Sequence, residues 1–160
     1  MEAAQNMPAP PAPPAANERS ICPFVVSAWA RLLQVAPTLL ASVEADLKTA
    51  GLPPSQWYDA LSGLERAPLT EMMPSEIERQ LLLTQCTTSR LIDRLVAEGL
   101  AQRVVHPEDR RRQIIRLAEP GRALINRMWP VYAEAIERHV GRKLDGADAR
   151  VLIRILEKLA

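Results

Sequence analysis

Apolar residues at Val25, Val26, Trp29, Leu32, Leu33 and Ala36, then Leu39, Leu40, Val43 and Leu47, recur at steps of three and four. That is the spacing of one helix face. The stripe predicts a long helix that begins near Ser20, carries Pro23 in its first turn and ends near Gly51. Pro37 in its middle predicts a kink. Trp57, Leu61 and Leu64 mark a second helix, capped by Ser55 and ended by Pro68. A short helix from about Pro74 to Leu82 and a longer one from Thr84 or Gln85 to Glu98, closed by Gly99, follow in immediate succession, with only Leu83 and Thr84 free to turn the chain. Leu91, Ile92, Leu95 and Val96 form the inner face of the longer one. "LAQRVVHP" and "RQIIRLAE" then alternate as two strands of a hairpin. Pro120 opens a helix with Leu124, Met128, Val131, Ala135 and Ile136 at helical spacing, in which Pro130 predicts a second kink. A short last helix turns Val151, Leu152, Ile155 and Leu159 inward.

Two helices joined by so tight a turn make a helix-turn-helix, and a hairpin directly after it makes a winged helix. The expected fold is mainly α with a small β-hairpin: a winged helix-turn-helix lobe plus a helical dimerisation region. The first and last helices bring apolar stripes that a compact monomer of this size has no place to bury, so a second copy of the chain is the economical cover. The opening "MEAAQNMPAPPAPPAANERS" holds five prolines among alanines and no period that buries a face, which predicts a disordered or polyproline tail. The expected division is a tail at 1–19, an N-terminal dimerisation helix at 20–52, a winged lobe at 53–119 and C-terminal dimerisation helices at 120–160.

Charge changes the picture once it is divided along the chain. The 160 residues carry a net +1, but residues 84–116 hold seven arginines (90, 94, 103, 110, 111, 112 and 116) against four acids, a balance of +3, while the remainder stands at −2. Positive charge gathered in one fifth of the chain is a local nucleic-acid footprint. Cys22 and Cys86 are too few and too far apart for a disulfide framework or a CxxC metal site, and His106 and His139 have no ligand-like companions. The chain shows no nucleophile, histidine and acid in motif spacing and no glycine-rich phosphate loop. The expectation is a protein that is not an enzyme and needs no metal or other cofactor. With no uninterrupted apolar run of membrane-span length and no signal-peptide pattern, it is expected in the cytoplasm, away from membranes.

The stretch "LLLTQCTTSRLIDRLVAEGLAQRVVHPEDRRRQIIRLAEPGRALI" resembles the MarR family of bacterial transcription regulators, in its recognition helix and its "D-x-R-R" wing. "QWYDAL" upstream and "WPVYAEAI" downstream are similar as well, so the resemblance spans about residues 20–160. Ser89 departs mildly from the family's threonine, and Ala118 to Pro120 replace a common helix cap. The resemblance implies a homodimer that binds a pseudopalindromic double-stranded DNA operator, acts as a repressor and is released by a small aromatic or anionic effector. It implies that Arg111 enters the minor groove while Asp109 braces the wing, with Arg110 and Arg112 as neighbouring basic groups. On the recognition helix, Gln85, Thr87, Thr88 and Arg90 are expected to meet bases and phosphates. Thr84 is expected to cap, and Arg94 to be structural or phosphate-bound. Ser75 offers a hydroxyl at the start of the preceding helix. Trp29 and Trp57 are the expected effector contacts, although both also suit a core. The alternative is a thiol-based oxidant sensor of the same fold acting through Cys22.

Overall fold

The computed structural model describes residues 21–106, 109 and 112–159. The expected tail, the Ser20 cap, Arg110 and Arg111 lie outside these. The described residues divide between Gln34 and Val35 into two units.

The first unit contains the beginning of α1 (Pro23–Thr49). Its apolar side chains are exposed, Phe24 at 84% and Trp29 at 59%. The whole of α1 is long and apolar enough, by length and composition, to cross a membrane.

The second unit opens with the rest of α1, where Val43 and Leu47 are buried; Pro37 lies inside an unbroken helix. Next comes α2 (Ser55–Arg66). Ser55 does not cap α2 with its own side chain as expected. Instead the Glu44 carboxylate of α1 accepts from the Ser55 backbone N–H at 3.0 Å and from its hydroxyl at 2.5 Å, so a neighbouring helix supplies the negative group that a helix N-terminus favours. A short turn at Pro68–Thr70 leads to β1 (Glu71–Met72), then α3 (Pro74–Leu81) and α4 (Gln85–Ala97). The Glu76 carboxylate accepts from the Met73 N–H at 2.6 Å and closes the front of α3. Leu82 ends α3 in the left-handed region at φ +52, a conformation that costs a leucine about 1–2 kcal/mol. Gly99 turns the chain after α4 at φ +69, where glycine is at no such disadvantage.

The hairpin is β2 (Ala101–Val105) and β3 (Gln113–Leu117), antiparallel in register from Ala101 opposite Leu117 to Val105 opposite Gln113. β1 pairs with the other side of β3, giving the order β1-β3-β2. The lobe core gathers Leu47, Leu61, Leu64, Ile77, Ile92, Leu95, Ile115 and Met128, all fully buried.

Only Ala118 separates β3 from α5 (Glu119–Ile136). Its N–H donates to the Leu100 carbonyl at 3.1 Å, and a Cβ at Gly121 would lie 2.2 Å from that same oxygen. Helix and strand root meet too closely for any residue but glycine. α5 runs through Pro130 and continues into a π turn at Glu137–Gly141. There Arg138 and His139 both reach Asp46 of α1, at 3.2 and 2.9 Å. In α6 (Gly146–Leu156) no residue is buried. Val151, Leu152 and Ile155, and Leu159 just past its end, were expected to turn inward, but they are exposed within the chain.

Candidate nucleic-acid interface

α4 is held by its inner face and presents its outer one. Leu91, Ile92 and Leu95 anchor it in the core. Thr84 caps it as expected: its Oγ1 accepts from the Thr87 N–H at 3.4 Å and lies 2.9 Å from the Thr87 hydroxyl. Gln85, Thr87, Arg90 and Arg94 are all exposed. Among the described residues, neither Arg90 nor Arg94 has an ion-pair or hydrogen-bond partner. Two exposed guanidinium groups on one helix, neither ion-paired among the described residues, give that face a positive character.

Thr88 is a correction. Expected on the exposed face, it is only 2% accessible, and its hydroxyl donates to the Thr84 carbonyl at 3.0 Å. It stands one turn before Leu91 and Ile92, on the stripe that faces the core, and is withdrawn from the surface set.

The remaining described arginines of the basic region are engaged. Arg116 pairs with Glu71 at 2.5 Å, tying β3 to β1. Arg103 pairs with Asp93 of α4 and donates to Gln113 Oε1 at 2.8 Å. Arg112, expected to face DNA, donates to Met73 Sδ at 2.7 Å. At the wing tip the Arg112 N–H donates to the Asp109 carbonyl at 2.9 Å and the His106 N–H to the Arg112 carbonyl at 3.0 Å. Ser75 is exposed in the first turn of α3. The concentration of charge was legible in the sequence; which arginines are occupied was not, because their partners lie 10 to 45 positions away.

Trp57 is half-buried and shares a cavity of about 180 Å³ with Pro54, Gln56, Thr87, Arg90 and Arg94. One expected effector contact therefore lies against the same arginines that face outward from α4. Farther along α2, Tyr58 stacks on Trp129 with ring centres 5.7 Å apart and meets Tyr132 edge-on at 5.1 Å. Burial, together with the nearby Glu44 charge, raises the Asp59 carboxyl above its ordinary range against the opposing pull of Arg66. Burial likewise raises the phenols of Tyr58 and Tyr132. Cys22 and Cys86 are free and exposed.

A MarR family model matches residues 50–112. No curated protein sequence matches the chain. Among solved structures, the chain is similar to Sco3205, a MarR family transcriptional regulator from Streptomyces coelicolor in complex with DNA, at 21% identity and TM-score 0.80, covering 91% of each chain. It is also similar to AbsC, a MarR family regulator from the same organism, at 24% identity and TM-score 0.77, covering 89% of this chain and 95% of that one. CouR from Rhodococcus jostii RHA1, bound to p-coumaroyl-CoA, aligns at 21% identity and TM-score 0.69, covering 88% and 95%. Residues 50–112 thus match the MarR family by sequence, and the fold of the chain is the one found in Sco3205 and AbsC.

Proposed function

We propose that the protein is a homodimeric, sequence-specific DNA-binding repressor that acts in the cytoplasm on a pseudopalindromic operator. The observation that carries this reading is the outer face of α4, where Arg90 and Arg94, without an ion-pair partner among the described residues, stand beside Gln85 and Thr87 on a helix locked into the core from behind. Such a helix fits the major groove, with polar side chains for base edges and guanidinium groups for phosphates. Ser75, Asp109, Arg110, Arg111 and Arg112 join it in the roles that the family resemblance implies. The exposed apolar stripes of α1 and α6 support the dimer, since contiguous apolar surface of this extent marks an interface.

Release by a small anionic aromatic molecule completes the reading. The Trp57 cavity offers a ring surface and two guanidinium groups, and its volume of about 180 Å³ suits a single-ring ligand. An occupant there would draw Arg90 and Arg94 away from DNA. Trp29 is carried as a second contact on sequence grounds alone.

A mobility-shift titration on the duplex upstream of its own coding sequence tests the proposal. Binding to an inverted repeat with half-sites about 10 base pairs apart is expected. Arg90→Ala should weaken binding by about 1–3 kcal/mol and lower the salt dependence by about one phosphate contact. Unchanged affinity in that variant would remove α4 from the interface.

A further inference from the structure

Asp93 is an acid on the very helix face that carries Arg90 and Arg94, three and one positions away. A negative charge there repels phosphate, so by charge alone it weakens any contact of α4 with DNA. Its carboxylate is 63% exposed and takes Arg103 of β2, whose own side chain is 33% exposed. The other arm of the same guanidinium donates to Gln113 Oε1 on β3 at 2.8 Å. One planar group therefore joins three elements: the outer face of α4 and both strands of the wing. Arginine suits this because its fork presents several donors in fixed directions, which a lysine ammonium does not. Along the rest of the wing, Arg116 pairs with Glu71 of β1 and Arg112 reaches Met73, just before α3. Among these, Asp93 alone connects the wing to α4.

We propose that Asp93 is a positioning residue: through Arg103 and Gln113 it fixes the angle between the wing and α4, so that both enter adjacent grooves at once. This rests on the DNA-binding reading above. An exposed ion pair contributes little to global stability, so the effect of removing it falls on wing geometry and leaves the fold in place.

The sign of one substitution separates this from simple electrostatics. Asp93→Asn in the full-length dimer removes a repelling charge, which alone would tighten operator binding. The positioning role instead predicts weaker binding, by about 5- to 10-fold, with a melting temperature close to that of the parent protein. Arg103→Lys keeps the net charge but cannot span both partners, and should weaken binding similarly. In the free protein, amide hydrogen exchange in Ala101–Val105 and Gln113–Leu117 should quicken about 3-fold in both variants while α2 and α5 stay protected. Operator binding unchanged or tightened in Asp93→Asn, or wing exchange identical to the parent, would overturn the proposal. The parent protein binding no duplex would instead remove the DNA-binding reading, and the exchange measurement would still decide whether Asp93 holds the wing.

Discussion

The winged lobe and the helical arms contain similar apolar residues and use them in opposite ways. In the lobe, Leu61, Leu64, Ile77, Ile92, Leu95 and Ile115 close over one another until almost nothing of them meets solvent. On α6, Val151, Leu152, Ile153, Ile155 and Leu156 are all exposed, and Phe24, Val25, Val26 and Trp29 of α1 are exposed in the same way. Amphipathic periodicity is present in both. The difference teaches that a helical stripe states only that a face must be covered; whether the cover comes from the same chain depends on whether other elements return to it.

Four experiments break or sharpen this contrast. The largest effect is expected inside the lobe. Leu95→Ala removes a fully buried side chain from α4 and should cost about 2–5 kcal/mol in urea unfolding; a loss too small to measure would mean that the lobe is not a closed core. Leu152→Asp on α6 should leave helical circular dichroism intact while weakening self-association by about 2 kcal/mol, read as a shift toward monomer in sedimentation equilibrium. An unshifted dimer would exclude α6 from the interface. If the parent chain floated with lipid vesicles and stayed monomeric in buffer, the α1 stripe would belong to a bilayer. The smallest effect concerns the junction of α1, α2 and α5. Asp59 has a folded-state pKa raised above its ordinary 3.8, chiefly by burial. Its contribution to stability is thus fully present below 3.8 and lost as pH rises through the folded value. Asp59→Asn should therefore melt higher than the parent at neutral pH, with the gap closing as the solution is acidified. A gap independent of pH would show that folding leaves the Asp59 pKa unchanged.

Much of this organisation is legible in the sequence. The six helices, the tight turn between α3 and α4 and the β2–β3 hairpin follow from spacing, because each repeats its period several times. β1 has two residues and no period to show; it exists because Glu71 and Met72 lie against β3 and Arg116 reaches Glu71. Thr88 was misplaced even though the signal was available: positions 88, 91, 92 and 95 form one helix face, and a threonine is small enough to sit on it with its hydroxyl satisfied by the preceding turn. The Glu44 cap on α2 and the Asp93–Arg103–Gln113 contact were not legible, since nothing local says which distant partner a charged side chain will meet.

The close approach at Gly121 has a mechanical consequence. The start of α5 is pressed against the Leu100 carbonyl and hydrogen-bonded to it through Ala118, so the joint between this helix and the root of the wing has almost no play. α5 spans 18 residues, a rod of about 27 Å. Pivoted at its far end by 5°, such a rod moves its near end by roughly 2 Å, and the wing root must travel with it. The helix is therefore a lever and the glycine its tight bearing. In a two-fold assembly, small tilts of α5 would set the span between the two wings.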